Sequence, residues 1–240
     1  MIETFALIIP AYFLAGGILM AIINRKKDPG QRKTNILKYL TYFLIVSILF
    51  FSILINPFIF RIVALMIIVI GFFEVFLAAG KGGSAGRTLL SIVLFGVPAI
   101  LFLFFSTLDQ MILLITVFVI TIFDAFSQLT GQLIGKRKLF PSVSPGKTVE
   151  GLLGGIIVSS LSTLLIMDFT GYSPLKSLML GLVIAGSGFA GDMLESAGKR
   201  KLGIKDFGRV LPGHGGILDR FDSLILAGAI IFLFIKTGLI

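Results

Sequence analysis

The sequence predicts an all-α integral membrane protein, a polytopic helical bundle of about eight transmembrane helices with both termini outside. The 240 residues are 56% hydrophobic and 14% charged, with a mean hydropathy of +1.05. A soluble domain is nearer about half apolar and about a quarter charged. The apolar runs approach the length of a membrane helix and lack the alternation of barrel strands. Basic residues also collect in every second loop, as expected of a polytopic helical protein.

Eight apolar runs are each long enough to cross a hydrocarbon core of roughly 30 Å at about 1.5 Å per residue. They are Phe5–Ile23, Tyr39–Ile55, Phe58–Ala79, Leu89–Phe105, Met111–Ile134, Val149–Met167, Leu175–Lys199 and Leu218–Thr237. The first run is interpreted as a retained span, because the basic cluster follows it. No internal repeat or linker divides the chain, so we expect a single membrane domain over residues 1–240.

The distribution of cations predicts the orientation. Of the 21 lysines and arginines, only Arg61, Lys176 and Lys236 fall outside the alternate, basic loops. The positive-inside rule places those basic loops in the cytoplasm, as expected of a protein integral to the cell (inner) membrane. The same bias accounts for the net charge of +9 without nucleic acid. The absence of cysteine excludes disulfides and thiolate chemistry.

Carboxylates lie within the predicted spans, where each costs several kcal/mol and commonly marks a functional site. Asp124 shares one face of the fifth span with Gln128, and the pair is compatible with either a site or an interhelical hydrogen-bond clamp. Glu74 lies near the inner end of the third span, where Lys81 or Arg87 could pair with it. The sequence alone leaves both alternatives open.

Four further acids lie at one depth on two consecutive spans. Asp192 and Glu195 are three residues apart near the inner end of the seventh span, and Asp219 and Asp222 repeat this spacing at the start of the eighth. Such spacing places each pair on one helix face. Four neighbouring carboxylates repel one another unless cations neutralise them. Hard divalent cations suit carboxylate oxygens, so we expect Mg²⁺, with a second cation left open.

Two loops carry groups that suit phosphate. The first contains Ser144, Lys147 and Thr148 just before a predicted helix, a setting in which backbone N–H groups, hydroxyls and a lysine bind anions. An ordinary basic loop with a helix cap is the alternative. The second loop contains Lys205 and the single histidine, His214. Positive-inside bias alone is the alternative for its cations, and His214 is compatible with a base, a phosphate donor or a structural hydrogen-bonding group.

Taken together, acids at the membrane surface beneath cationic loops favour a polyphosphate bridged by metal. The order of these residues resembles the signature of the phosphatidate cytidylyltransferase (CDP-diacylglycerol synthase) family. The matching residues are Ser196, Lys199-Arg200, Lys205-Asp206, Pro212, His214-Gly215-Gly216, Asp219-Arg220 and Asp222, with a second match in Ser144-Pro145, Lys147-Thr148 and Glu150-Gly151. The segment Phe123–Gln128 departs from the family pattern, which leaves another lipid phosphate open as the acceptor.

The resemblance implies that CTP and phosphatidate give CDP-diacylglycerol and pyrophosphate for phospholipid biosynthesis. It implies N-terminal helices in residues 1–110, and catalytic helices with cytoplasmic loops in residues 111–240. The expected Mg²⁺ ligands are Asp192, Asp219 and Asp222, which are also expected to be catalytic together with His214 and Lys205. The expected substrate-binding residues are Ser144, Lys147, Thr148, Asp124, Gln128, Glu195, Ser196, Lys199, Arg200 and Arg220.

Several alternatives remain at this point. A CTP-dependent lipid kinase would make a phospholipid and CDP, and no nucleotide would be joined to the lipid. A cation-coupled transporter would also carry buried carboxylates. A structural scaffold would tolerate changes at the four acids. The oligomeric state is open, with a homodimer as one alternative.

Overall fold

A computed structural model describes residues 2–25, 27–81, 85–208 and 215–239 of the chain. These residues form nine α-helices, a short 3-10 helix and two strands. The helices are α1 (Ile2–Asn24), α2 (Pro29–Ile55), α3 (Pro57–Lys81), α4 (Ala85–Phe105), α5 (Gln110–Ile134), α6 (Val149–Ser162), α7 (Met167–Thr170), α8 (Pro174–Lys201) and α9 (Leu218–Lys236). The strands are β1 (Lys138–Phe140) and β2 (Ser144–Thr148), and the 3-10 helix is Thr163–Ile166.

The predicted polytopic architecture is confirmed, because each of the eight predicted spans coincides with helix. Among the described residues, six helical stretches are long and apolar enough to cross a membrane. The stretch Ser91–Phe105 of α4 is apolar but shorter. Helix α9 is not among the six, and it contains four charged residues, Asp219, Arg220, Asp222 and Lys236. The count of eight spans and the side of the termini therefore stay predictions.

Helix α2 begins ten residues earlier than the predicted span. Asp28 starts it as an N-cap whose carboxylate accepts a hydrogen bond from the Gln31 N–H at 2.9 Å, and Pro29 occupies the first turn. Proline is tolerated there because its missing N–H has no helical partner in any case. Lys33 and Lys38, expected in a loop, consequently lie on the helix.

One loop of this helical protein contains a short β-hairpin that the sequence did not predict. Strands β1 and β2 form an antiparallel hairpin in which Lys138 pairs with Thr148 and Phe140 with Ser144. The predicted phosphate loop is thus mostly strand. Thr148 ends β2 and caps α6, with its hydroxyl accepting a hydrogen bond from the Gly151 N–H at 3.1 Å. The helix cap considered from the sequence is therefore present.

Helix α5 lies in the core and packs against α6, α8 and α9, while α8 packs closely against α9. Glycines on α8 permit close packing, with Gly181 facing α6 and Gly191 facing α9. A Cβ atom at Gly181 would lie 2.8 Å from the Cα of Ser160, and one at Gly191 would lie 2.6 Å from the carbonyl oxygen of Asp222. The close approach brings the acids of α8 beside those of α9.

Candidate active site

A buried lysine links the acids of α8 and α9. The Nζ atom of Lys199 lies 2.7 Å from Oδ1 of Asp219 and 3.1 Å from Oε1 of Glu195. The Lys199 side chain is 12% exposed and that of Asp219 is 1% exposed. Two carboxylates and one ammonium group leave one excess negative charge in this cluster. Because charges are poorly solvated there, each depends strongly on its partners.

Asp219 is satisfied by protein donors on both oxygens. Besides Lys199, it accepts hydrogen bonds from the Phe207 N–H at 3.0 Å and the Gly216 N–H at 2.8 Å, both on Oδ2. Gly215, the residue before Gly216, has a φ of 91°, a conformation that favours glycine. Asp219 thus holds the chain at Phe207 and at Gly216 against the first turn of α9.

Glu195 and Asp222 carry negative charge that no described donor fully compensates. Both carboxylate oxygens of Glu195 are buried; Oε1 is ion-paired with Lys199, and neither oxygen accepts a directed hydrogen bond within the described part of the chain. Asp222 lies close enough to Glu195 and Asp192 for electrostatic repulsion, and its Oδ1 accepts a hydrogen bond from the Ser223 N–H at 2.7 Å. Neighbouring carboxylates with so few donors favour an added cation.

The β1–β2 hairpin is attached to α8 by two basic side chains. Lys147 forms an ion pair with Asp192 and lies over the Phe189 ring, 5.2 Å from its centroid. Arg200 donates a hydrogen bond from Nε to the Val143 carbonyl at 3.0 Å. Ser196 donates to Oδ1 of Asp192 at 3.4 Å. The structure therefore brings the predicted hairpin residues next to the acids of α8.

Asp124 joins α5 to the same region. Its Oδ1 accepts a hydrogen bond, at 3.5 Å, from the hydroxyl of Ser223, the residue that follows Asp222. Gln128, on the same helix, is exposed. Thr148 is buried, and its hydroxyl lies close to Gly131 and Gly135 of α5, so its observed contacts are structural. Ser144 is half-buried at the start of β2.

Two predicted phosphate ligands are available to solvent. Lys205 and Arg220 are exposed, and within the described ranges neither forms an ion pair. His214 lies outside the described residues, so its role stays a prediction.

The predicted magnesium ligands do not form a preassembled cage. In residues 2–25, 27–81, 85–208 and 215–239, no group of three or more His, Asp or Glu side chains is arranged to hold a metal. Mg²⁺ commonly uses only one or two carboxylates and takes its remaining ligands from water and substrate phosphates. Asp192 and Asp222 fit that pattern beside Glu195, neither of whose oxygens accepts a directed hydrogen bond in the described part of the chain, whereas Asp219 already accepts three protein donors.

An apolar cleft of about 120 Å³ reaches the acids from between α3, α4, α8 and α9. Its lining includes Phe95, Pro98 and Leu194, and its polar residues include Glu195 and Asp222. Asp124 and Gln128, which were expected to bind substrate, are not among its lining residues. A cleft with apolar walls and a charged end suits an amphipathic ligand.

Glu74 is the contact that sequence reasoning did not identify. This α3 residue is 6% exposed, and its carboxylate accepts hydrogen bonds from the Ile217 N–H at 3.0 Å and the Leu218 N–H at 2.8 Å. The two N–H groups belong to the start of α9. The Lys81 and Arg87 side chains considered as partners lie outside those that the structure describes. A single acid in an apolar helix was the available signal, but the sequence does not indicate which backbone N–H groups that acid would bind.

The fold and the site together define a class: a polytopic helical membrane protein with a charged site that joins a basic hairpin, paired acids and an apolar cleft. Comparison with known proteins identifies the family. The sequence model described as "Cytidylyltransferase family" matches residues 5–237. The chain therefore belongs to the cytidylyltransferase family, and the resemblance inferred from its motifs is confirmed.

Individual relatives match over shorter stretches. Protein YnbB of Escherichia coli (strain K12), described as uncharacterized, is 49% identical over 114 residues, 47% of this chain and 38% of that protein. The phosphatidate cytidylyltransferase of Staphylococcus saprophyticus is 48% identical over 109 residues, 45% of this chain and 42% of the enzyme. The phosphatidate cytidylyltransferase of Aquifex aeolicus (strain VF5) is 44% identical over 126 residues, 52% of this chain and 48% of that enzyme. The matched stretches thus span less than half of these relatives.

Proposed function

We propose that the protein transfers CMP from CTP to phosphatidate, giving CDP-diacylglycerol and pyrophosphate for phospholipid biosynthesis. One observation carries the proposal: the acids of α8 and α9 contact a lysine of the basic hairpin and also line an apolar cleft. This arrangement suits a nucleotide on the basic side and a lipid on the apolar side. Membership in the cytidylyltransferase family and relatives named phosphatidate cytidylyltransferase support the same reaction.

In the proposed reaction, a phosphate oxygen of phosphatidate attacks the α-phosphorus of CTP. A new P–O bond forms, the bond from the α-phosphorus to the bridging oxygen breaks, and pyrophosphate leaves with that oxygen. Transfers of this kind depend on positioning and on neutralising charge more than on covalent catalysis. Exposed Lys205 and Arg220 bind phosphates, and Lys147 does so from the hairpin, beside Asp192.

Asp192 and Asp222 are the proposed Mg²⁺ ligands, with Glu195 contributing charge beside them. When bound, Mg²⁺ would neutralise charge on the phosphates of the nucleotide. Asp219 is the third predicted ligand, and its observed contacts give it a second role. It orients Lys199 and fixes Phe207 and Gly216, so that the start of α9 keeps its position.

The proposed location is the cell (inner) membrane with the site on the cytoplasmic side, because CTP is cytoplasmic and the basic loops favour that orientation. The phosphate of an inner-leaflet lipid would then lie level with the acids, and its acyl chains would enter the apolar cleft.

A panel of acceptors tests the proposed substrate. Purified protein receives CTP labelled at the α-phosphate, together with phosphatidate, an isoprenoid phosphate or a lipid without phosphate. We expect label in the lipid fraction with phosphatidate and none with the lipid that lacks phosphate. Labelling of the isoprenoid phosphate alone would contradict phosphatidate as the acceptor while retaining cytidylyl transfer.

Lys205→Ala is expected to raise KM for CTP about tenfold and to change kcat little, because one exposed charge-assisted phosphate contact is lost. Lys201→Ala is the matched control, since Lys201 is also exposed near the end of α8. Steady-state kinetics in detergent micelles with saturating phosphatidate measures both constants. An unchanged KM in Lys205→Ala, or an equal rise in the control, would count against this role.

A further inference from the structure

We propose that Glu74 is a positioning residue that holds the start of α9, and with it Asp219 and Asp222, in place for the reaction. The catalytic part of this inference rests on the proposed function. Glu74 lies on α3, far from α9 in sequence, and its two oxygens accept the N–H groups of Ile217 and Leu218 at 3.0 and 2.8 Å. One carboxylate thus binds two N–H groups that have no carbonyl partner within their own helix.

The surroundings of Glu74 are shaped for a carboxylate. It is 6% exposed in an apolar helix, and Cβ atoms at two glycines would collide with it. A Cβ at Gly216 would lie 2.6 Å from Oε1 and 2.7 Å from Oε2, and one at Gly208 would also meet Oε1. Gly208 and Gly216 therefore both approach Glu74 so closely that neither position has room for a side chain. The chain is held against Glu74 at both positions.

Glu74 and Asp219 bind the same short segment. Glu74 accepts N–H groups from Ile217 and Leu218, whereas Asp219 accepts that of Gly216. Three consecutive N–H groups are therefore bound by two carboxylates, which fixes the direction in which α9 starts. Asp222 follows one turn later, so a shift of this start would move its carboxylate relative to Glu195 and Asp192. A negative charge at a helix N-terminus is also favourable by itself.

The test begins with Glu74→Gln, which keeps the side-chain length but loses the charge and one acceptor. Amide hydrogen exchange should become at least about tenfold faster at Ile217 and Leu218, because their hydrogen bonds weaken. Gly216→Ala should have the same effect from the other side of the contact. Gly186→Ala is the matched control, since a Cβ at that α8 position would meet nothing within 4 Å. Asp109→Asn is a second control: it removes the charge of an acid at the start of another helix, where the Asp109 carboxylate accepts a hydrogen bond from the Met111 N–H at 2.8 Å.

Kinetics then separates positioning from mere stabilisation. In Glu74→Gln we expect kcat to fall about 10- to 100-fold and the Mg²⁺ concentration for half-maximal activity to rise about tenfold, as for residues that orient metal ligands. KM for CTP should change little, because Glu74 contacts neither Lys147 nor Lys205 in the described structure. A smaller folded fraction would lower the apparent kcat but leave the Mg²⁺ dependence unchanged.

The outcomes are distinct. Unchanged exchange at Ile217 and Leu218 in both variants would overturn the contact itself. Faster exchange with unchanged kcat and Mg²⁺ dependence would overturn the positioning role. If the wild-type protein forms no CDP-lipid at all, the proposed function fails. The exchange experiment then still decides whether Glu74 holds the start of α9.

Discussion

Asp222→Asn is expected to lower kcat for CDP-lipid formation by about 100- to 1,000-fold without unfolding the protein. Asp222 lies beside Glu195 and Asp192, so its charge is unfavourable for folding and is explained by function instead. Asparagine has nearly the same shape and keeps an oxygen that accepts the Ser223 N–H. Removing one of several repelling charges should leave the melting temperature in detergent unchanged or raise it, the trade-off expected at a functional site.

Activity and melting temperature should therefore change independently in this variant. Asp192→Asn should also lose activity, with an added loss of its ion pair to Lys147. Asp109→Asn is the control for a carboxylate outside the site, and its activity should equal that of the wild type. Full activity in Asp222→Asn would remove this residue from the proposed site, and a large fall in melting temperature would assign it a structural role.

Lys199→Met is expected to destabilise the protein by about 3–5 kcal/mol, because it leaves the buried carboxylates of Glu195 and Asp219 without their cation. Methionine fills a similar volume, so lost packing contributes little. The change should appear as a lower melting temperature in detergent, together with loss of activity.

A double variant separates the two effects. Lys199→Met combined with Glu195→Gln removes one buried negative charge along with the cation, so much of the stability should return. Activity should not return, because the charges proposed to act in the reaction are still missing. A single Lys199→Met variant as stable as the wild type would contradict the structural part of this account, and full activity in the double variant would contradict the functional part.

Long apolar runs and residue spacing made much of the fold predictable. A span needs only about twenty apolar residues, so α3 and α5 were located to within two residues at each end. The proximity of α8 and α9 was also anticipated, because acids three residues apart lie on one face of each helix at the same depth. Both properties depend on residues close together in the chain, so they can be recognised from the sequence.

Contacts between distant segments were less predictable. The β1–β2 hairpin is short and rich in Pro, Gly and Ser, so its strands carry little alternation of apolar and polar residues. The early start of α2 depends on a single cap at Asp28. The attachment of Glu74 to α9 joins residues 143 positions apart, and nothing in the composition of either segment specifies that pairing.

The most direct test of cytidylyl transfer uses CTP labelled at either the α- or the γ-phosphate, with purified protein and phosphatidate. Cytidylyl transfer predicts that the α-label enters the lipid, that the γ-label leaves as pyrophosphate, and that the two products form in equal amounts. Transfer of the γ-label to lipid would indicate a lipid kinase. Retention of both labels in CTP, with protein that remains folded, would contradict the proposed reaction.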